Sequence, residues 1–398
     1  MNQEAIFNRH VDFALTCLKT HQPGKPFHLS LRSYFKSNKK FGSKDRRRIR
    51  GLCYSWFRLG YTFGALSQRE QIVMGYLVLQ TELDTWLDGI IESLELPSNW
   101  SGLTRDERLN FVEGAGTWSR DKSFPYMEEV SKELNRDDLI RSMMDQPKLW
   151  LRPFRAVEQE QLEQQVTDVT YGPNGAIGLQ VGSSLDQLPM LKNKVEVQDL
   201  SSQIALNELS QYDFQTVWDC CCASGGKSLN LLDRRSELDV FASDLRSSIL
   251  NNFIQRVKRH KRRTHHTVLD LRKPISSIEF LGASGKKKIA SEAFDLVLAD
   301  VPCSGSGTWG RNPEFKRSFN KTPEEYASLQ FQIVRNTLPF LKKGGHVMYL
   351  TCSVYTRENE GVTNRLETEL GLLTVKKGYV KGYENDSDSM FYGILQKK

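Results

Sequence analysis

The chain has 398 residues, of which 39% are hydrophobic and 26% charged, and its formal net charge is +7. This length is enough for two or three domains with separate cores. The longest apolar run, Ile72 to Leu79, is too short to span a bilayer, and the first residues lack the basic and apolar regions of a signal peptide. We therefore expect a cytoplasmic protein that is not held in a membrane.

The seven cysteines argue against a disulfide framework, because their number is odd and the chain shows no secretion signal. The sequence contains neither a Cys-x-x-Cys pair nor a cluster of histidines and cysteines, so we expect no metal site. We also expect a monomer.

The basic residues are unevenly distributed and form three clusters. A single basic run is often only a solvated face, but three of them favour a polyanionic partner, most simply nucleic acid. The clusters are Lys36, Lys39, Lys40, Lys44, Arg46, Arg47, Arg48 and Arg50; Arg256, Lys258, Arg259, Lys261, Arg262 and Arg263; and Lys286 to Lys288.

Residues 1–140 are predicted to form a helical domain. Phe7, Val11, Leu15 and Leu18 recur at the spacing of one helix face. A similar stripe runs through Cys53, which we expect, like Cys17, to be an inert core residue.

Residues 141–205 have a different pattern, typical of a small α+β module. Short strands are predicted over 149–156, 176–181 and 195–197, with a polar helix over 158–166.

From residue 206 to 398, apolar strands alternate with helical segments, which predicts an α/β domain with a doubly wound sheet. Thr322, Pro323 and Glu325 form a capping box that begins a helix, which we expect to continue to Leu341 and to end at Gly344-Gly345, with a kink or an interruption at Pro339. Residues 282–288 are expected to form a mobile loop. The predicted strands are 216–221, 238–243, 267–269, 294–299, 347–350 and 391–395.

A glycine turn follows the first of these strands, in the sequence Asp219 to Lys227. It matches neither the dinucleotide motif nor the P-loop. Asp244, Asp270 and Asp300 end the following strands, where carboxylates accept hydrogen bonds from nucleoside groups. S-adenosylmethionine fits best, since it is positively charged and has no phosphate. The expected cofactor residues are Cys221, Cys222, Ala223, Ser224, Gly225, Gly226, Lys227, Asp244, Asp270 and Asp300.

Two cysteines each follow an apolar strand: Cys303 comes shortly after Asp300, and Cys352 follows the strand over 347–350. If the two strands are parallel neighbours, both thiols and the carboxylate lie in one crevice at the carboxyl edge of the sheet. Two thiols beside a carboxylate suit covalent chemistry on an electron-poor ring, for which a cytosine base is the leading candidate.

These segments resemble the RsmB/Sun-type family of RNA cytosine-C5 methyltransferases. The resemblance implies a Rossmann-like methyltransferase domain with a mostly parallel seven-stranded sheet, preceded by an RRM-like module and a NusB-like RNA-binding domain. The matching segments are Gln198-Asp199-Leu200-Ser201-Ser202-Gln203, Asp219 with Cys221 to Lys227, Asp300-Val301-Pro302-Cys303-Ser304-Gly305-Ser306-Gly307, Arg311-Asn312-Pro313-Glu314, and Thr351-Cys352-Ser353-Val354 with Glu358-Asn359-Glu360.

The resemblance also implies roles for the catalytic residues. Cys352 would be the nucleophile, Cys303 would assist product release, and Asp300 would hold the cytosine ring. We expect Lys227 and the charge of the cofactor to lower the pKa of the nucleophile. The reverse assignment, with Cys303 attacking, stays open, as it resembles DNA cytosine methyltransferases.

The sequence departs from the family at Ser224, which replaces a proline, and at Cys222, which replaces an alanine. Bacterial relatives favour small-subunit (16S) ribosomal RNA as the substrate, while transfer RNA stays an alternative. The alternative outside the enzymes is a non-catalytic RNA-binding protein that acts in ribosome assembly.

Overall fold

The computed structural model describes residues 3–59, 63–64, 66–81, 83–183, 185–283, 285–319 and 321–398, apart from the side chain of residue 85. The chain divides into two compact units. We call the first the helical unit; it consists of Met1–Glu128, Asn135–Gln146 and Trp309–Asn320. The second, the sheet unit, consists of Glu129–Leu134, Pro147–Thr308 and Lys321–Lys398. The division into domains 1–140, 141–205 and 206–398 stays a prediction.

The α-helices of the described residues are α1 (Gln3–Thr20), α2 (Phe27–Ser37), α3 (Ser43–Leu59), α4 (Gln68–Leu79), α5 (Asp88–Ser93), α6 (Arg105–Gly114), α7 (Arg136–Met143), α8 (Gln159–Gln165), α9 (Leu200–Asn207), α10 (Gly226–Arg234), α11 (Ser247–Arg259), α12 (Glu314–Arg317), α13 (Pro323–Thr337) and α14 (Glu360–Leu370). None of them is long and apolar enough to cross a bilayer.

The strands of the described residues are β1 (Leu149–Pro153), β2 (Thr170–Tyr171), β3 (Ile177–Leu179), β4 (Val195–Val197), β5 (Thr216–Asp219), β6 (Asp239–Asp244), β7 (His265–Val268), β8 (Ile278–Gly282), β9 (Gly285–Ile289), β10 (Phe294–Asp300), β11 (Leu341–Thr351), β12 (Leu373–Val380) and β13 (Met390–Gln396).

The helical unit is built on α1, α3 and α4, whose apolar faces pack together. Phe7 and Val11 of α1 and Ile49 and Cys53 of α3 are fully buried, as the helical spacing in the sequence predicts. Because apolar residues three and four positions apart lie on one helix face, each helix buries a continuous stripe.

A four-stranded antiparallel sheet forms the small α+β part of the sheet unit, in the order β2-β3-β1-β4. Leu151 pairs with Ile177 on one side and with Val197 on the other, which centres β1 between its neighbours. The strands over 149–156 and 176–181 are shorter than predicted. Leu162 of α8 packs in their core, so the predicted polar helix is present.

The large sheet has the order β12-β13-β11-β10-β5-β6-β7-β8-β9. The five strands from β11 to β7 run parallel, and an antiparallel pair of strands lies at each edge. The predicted Rossmann-like α/β fold is therefore confirmed.

The described residues place nine strands in this sheet rather than seven. The two additional strands are β8 and β9. Gly282 and Gly285 to Lys288 of the predicted mobile loop lie in these strands, so the loop prediction is wrong for them, whereas residue 284 lies outside the described residues. The sequence gives little sign of β9, because Gly285 to Lys288 are all exposed and lack the alternation typical of a half-buried strand. Pairing with β8 decides the conformation of this segment.

The predicted helix to Leu341 is also wrong at its end. The capping box at Thr322 is present, but α13 ends at Thr337 and Leu341 already begins β11. Pro339 lacks the backbone N–H that a helix needs, and the chain makes a single 3-10 turn there. Gly344 lies inside the strand with a φ of 76°, so it bends β11 instead of ending a helix.

Strand β5 sits at the centre of the parallel part, paired with β6 on one side and with β10 on the other. From β5 the chain continues to β6 and β7 on one side, whereas β10 and β11 lie on the other side of β5. In such sheets, a crevice opens at the carboxyl ends of the central strands and serves as the ligand site.

Candidate active site

The pairing of β10 with β11 brings the two cysteines to one edge of the sheet. Asp300, the last residue of β10, pairs with Leu350 of β11 in parallel register. Cys303 and Cys352 follow this pair by three and two residues. The Cys303 thiol lies within hydrogen-bonding reach of the backbone N–H groups of Gly305 and Cys352. The predicted convergence of the two cysteines is therefore present.

Lys227 and Asp300 form an ion pair in the same crevice. The distance from Lys227 Nζ to Asp300 Oδ2 is 2.6 Å, and both side chains are mostly shielded from solvent. Burial acts against the charge of Lys227, but Asp300 and Cys352 outweigh it and raise the pKa of the ammonium group. Lys227 therefore stays positively charged beside the Cys352 thiol.

Both thiols are protonated at neutral pH in this structure. Burial raises the pKa of Cys303 to about 12, and the neighbouring Glu358 carboxylate adds to the effect. Burial and Cys303 raise the pKa of Cys352 well above its ordinary value, while Lys227 acts in the opposite direction. Desolvation of the Cys352 thiolate therefore outweighs the lysine. The expectation that Lys227 and the charge of the cofactor together lower this pKa stays a prediction.

The Glu358 carboxylate is fully buried next to the segment that carries Cys303. It accepts hydrogen bonds from the backbone N–H of Ser304 at 2.9 Å, from the Ser353 hydroxyl at 2.7 Å and from the Gln330 amide at 2.9 Å. These bonds tie together the two segments that carry the cysteines. The Glu-Asn-Glu motif marked this residue in the sequence, but nothing there indicated its position.

Gly307 fixes the distance between the two cysteine segments. Its N–H donates to the carbonyl of Cys352 at 2.9 Å, and its carbonyl accepts from Ser389 N–H at 2.9 Å. A Cβ at Gly307 would lie 2.1 Å from the Ser389 carbonyl oxygen. Only glycine allows this close approach of three backbone segments.

The glycine turn between β5 and α10 has the strained backbone expected of a ligand cradle. Ala223 has a φ of 46° and Gly225 a φ of 79°, both in the left-handed region. A Cβ at Gly225 would lie 2.1 Å from the Phe253 ring, so glycine is required both by conformation and by space. Arg256 donates to the carbonyl oxygen of Ser224 at 2.7 Å and to its hydroxyl at 2.8 Å.

The remaining cofactor residues surround this turn. Cys221 is half-buried and Cys222 is buried, while Gly226 begins α10 and places Lys227 in its first turn. The Asp244 carboxylate accepts a hydrogen bond from the N–H of Ala223 at 3.0 Å. Burial acts to raise the pKa of Asp244, but the hydrogen bonds and the charge of Arg246 outweigh it, so the pKa is lowered.

Asp270 lies two residues beyond β7 and is partly exposed. Arg272 donates to both of its carboxylate oxygens, and this contact lowers the pKa of Asp270 to about 2. The carboxylate is therefore ionised at the end of its strand, as a hydrogen-bond acceptor must be.

Asp219 lies under the turn and has an unused acceptor. It is buried, Ser228 donates to its Oδ2, and Oδ1 has no hydrogen-bond partner among the described residues. Burial raises the pKa of Asp219 to about 7, against the effect of the Ser228 hydrogen bond. A glycine cradle beside the carboxyl groups of Asp219, Asp244 and Asp300 fits a cationic nucleoside cofactor. Among the described residues, no group of three or more His, Cys, Asp or Glu side chains is arranged to hold a metal ion.

Comparisons with known proteins agree with this geometry. Residues 206–377 match the sequence model of the family described as 16S rRNA methyltransferase RsmB/F. The chain is 30% identical over 233 residues to ribosomal RNA small subunit methyltransferase B of Shewanella oneidensis, covering 56% of this chain and 52% of the relative. The same-named protein of Pasteurella multocida is 26% identical over 283 residues, 66% of this chain and 62% of the relative. The chain thus spans about half to two thirds of the length of these relatives.

Solved structures share the fold at lower identity. PH0851 has a TM-score of 0.65 at 19% identity and covers 94% of this chain and 95% of its own. NSun6 from Pyrococcus horikoshii, solved with SFG, has a TM-score of 0.51 at 14% identity and covers 68% of this chain and 99% of its own. These similarities support the fold, and the family match extends through both cysteine segments. Over residues 206–377 this chain is therefore similar to the RsmB/F family of methyltransferases.

Proposed function

We propose that this protein is an S-adenosylmethionine-dependent RNA (cytosine-C5) methyltransferase that acts on ribosomal RNA. The observation that carries the proposal is the pair of thiols at the carboxyl ends of two adjacent parallel strands, beside the Lys227–Asp300 ion pair. The names of the relatives and the three basic clusters support a ribosomal RNA substrate.

The cofactor is S-adenosylmethionine, which when bound supplies an electrophilic methyl group. The backbone of the turn from Cys221 to Gly226 would lie against it. Asp244 and Asp270 would accept hydrogen bonds from its ribose hydroxyls and adenine amino group. The negative charges of these carboxylates suit the positive charge of the sulfonium, and the cofactor carries no phosphate that they would repel.

Cys352 activates the cytosine ring. Carbon 5 is a weak nucleophile, but a thiolate added to carbon 6 makes carbon 5 electron-rich, which divides a difficult step into two easier ones. Lys227 favours the thiolate of Cys352, whereas Glu358 disfavours that of Cys303. The choice of Cys352 rather than Cys303 as the nucleophile follows the resemblance to the family. Asp300 would accept a hydrogen bond from the exocyclic amino group of the target base, and one from N3 when that nitrogen becomes protonated as the thiolate adds.

Cys303 completes the reaction. After the methyl group is on carbon 5, the Cys303 thiol releases its proton to solvent, and the resulting thiolate accepts the carbon-5 proton. The bond between Cys352 and carbon 6 then breaks, which restores the ring double bond and releases the Cys352 thiolate. A thiol with a raised pKa is suited to this step, because its thiolate is a strong base.

Single substitutions of the two cysteines test these roles. We expect Cys352→Ala to abolish methyl transfer, and Cys303→Ala to accumulate a covalent RNA adduct, visible as a slower band on a denaturing gel. The double variant Cys303→Ala/Cys352→Ala is the control and should form no adduct. Adduct formation by Cys352→Ala, with none by Cys303→Ala, would reverse the assignment.

The substrate is identified by bisulfite sequencing of RNA from cells with and without the gene. We expect one or a few cytosines of small-subunit ribosomal RNA to lose methylation. Loss confined to transfer RNA would overturn the substrate but keep the chemistry. A purified protein that binds RNA but transfers no methyl group from labelled S-adenosylmethionine would be an RNA-binding factor instead.

A further inference from the structure

A second concave site lies in the sheet unit, at the edge of the large sheet away from the cofactor turn. It is a cavity of about 630 Å³, lined among others by Asp239, His265 and the run Lys261 to Arg263. Asp239 and His265 are the first residues of β6 and β7, so the cavity lies at the amino ends of these strands. The length of β6, about 17 Å at 3.3 Å per residue, therefore separates it from Asp244 in the crevice.

Two basic clusters that are distant in the sequence meet at this cavity. Lys261 to Arg263 follow α11, whereas Lys286 to Lys288 lie on β9. The β8–β9 hairpin brings the second cluster in: its Ala283 lines the cavity, and Lys287 contacts Asp239 at 3.0 Å. The hairpin therefore extends the sheet edge with exposed lysines.

The positive charge at this site is not neutralised by its own acidic residues. Asp239 is held by His265 and Lys287, and Glu237 is held by Arg235. Lys261, Arg263 and Lys288 are exposed and form no ion pair with any residue that the structure describes. We call the set Lys261, Arg263 and Lys288 the distal basic edge; Lys286 beside it pairs with Glu279 at 2.8 Å.

Lys261 occupies a backbone conformation that normally favours glycine. Lys261 lies just after the C-terminus of α11 and has a φ of 56°, in the left-handed region. The N–H of the next residue, Arg262, donates to the Val257 carbonyl, as in a helix C-cap with a left-handed residue. A lysine is strained there, while a glycine would not be. In this conformation Lys261 lines the cavity together with Arg263, and both side chains are exposed.

We propose that the distal basic edge binds phosphates of the RNA backbone at a distance from the target base. The identity of the partner rests on the proposed function. Lysine and arginine side chains bind phosphates without reading the sequence. RNA that reaches both sites gains affinity, whereas a short oligonucleotide around the target cytosine fills only the crevice.

The test compares a triple variant, Lys261→Gly/Arg263→Gln/Lys288→Gln, with the unchanged protein. The probe is transcribed small-subunit ribosomal RNA, and the dissociation constant is measured over a range of salt concentrations. We expect affinity at low salt to fall roughly tenfold or more, and the slope of log K against log salt to decrease in magnitude by about three. The matched control, Lys343→Gln/Lys376→Gln/Lys377→Gln, removes three exposed lysines of β11 and β12.

Unchanged affinity and slope in the first triple variant would overturn the proposal, as would an equal loss in the control. Lys261→Gly alone should weaken binding while its melting temperature stays the same or rises, since glycine relieves the strain. If the lysine is purely structural, the single variant binds RNA normally.

A second measurement separates this proposal from the proposed function. The triple variant should bind S-adenosylhomocysteine and methylate a short target oligonucleotide as well as the unchanged protein does. If neither protein transfers a methyl group but RNA binding still falls in the variant, the proposed function fails and the distal basic edge stands.

Discussion

Lys227 links the ionisation of Asp300 and Cys352 within one buried crevice. It lies 2.6 Å from Asp300 and opposes the effect of burial on the pKa of Cys352. At neutral pH the thiol is nevertheless protonated. Deprotonation therefore contributes to the barrier, and the reactivity of Cys352 must increase with pH.

The alkylation rate of Cys352 by iodoacetamide tests this directly. Because the pKa is raised, the thiolate fraction should increase about tenfold per pH unit between pH 7 and pH 9, without a plateau. Lys227→Met raises the pKa further and should slow alkylation severalfold at each pH, whereas Lys227→Arg keeps the charge and should preserve much of the rate. Mass spectrometry of the Cys352 peptide gives the rates; a plateau near pH 7 would contradict the raised pKa.

Side chains of α11 and β4 hold the glycine turn between β5 and α10 in place. Arg256 of α11 contacts the carbonyl and the hydroxyl of Ser224, and it also pairs with the buried Glu196 of β4 at 2.7 Å. Glu196 further binds His260 at 2.7 Å. A buried network of charges thus connects the small sheet with the cofactor turn, at the position where Ser224 replaces the proline that the resemblance implies.

We expect Arg256→Ala to weaken the binding of S-adenosylhomocysteine by roughly tenfold, equivalent to about 1.4 kcal/mol. Two hydrogen bonds from a charged donor hold Ser224, and the turn loses this restraint when they are removed. Isothermal titration calorimetry measures the change. Lys258→Ala, an exposed residue of the same helix, serves as the control, and an equal loss of affinity in that variant would contradict a specific role of Arg256.

At the scale of the whole molecule, the helical unit includes a segment that comes after the first active-site cysteine. Trp309 is buried and packs against Phe124 with ring centroids 4.7 Å apart. Arg58 donates to the Gly310 carbonyl at 3.0 Å, and Glu314 accepts from the N–H of Phe27 at 2.8 Å. The segment is therefore part of the core of the helical unit.

Trp309→Ala should destabilise the helical unit by about 3–5 kcal/mol, since it leaves a large cavity. Hydrogen exchange should then become faster for the amides of α1 and α3, with little change in β10. Phe111→Ala removes a ring that is 39% exposed in the same unit and should cost less than about 1 kcal/mol. A similar effect of both substitutions would show that Trp309 is not a core residue.

The local features of this protein were readable from its sequence. Apolar runs mark β5, β10 and β11, the capping box marks the start of α13, and glycines mark the cofactor turn. Each depends on residues close together in the chain. Cys303 and Cys352 were recognisable because each follows such a strand and because the surrounding motifs resemble a known family.

Contacts between segments that are distant in the chain determined the remaining features of the fold and the site. The register of Asp300 with Leu350 brings the two thiols together, and burial in the resulting crevice raises their pKa values against the influence of Lys227. The lysine-rich β9 became a strand because β8 offers it hydrogen-bonding partners. The contact of Arg256 with Ser224 joins residues far apart in the chain. Amino-acid patterns specify how each segment folds locally, but the desolvation of a charge and the choice of a partner arise only when distant segments pack.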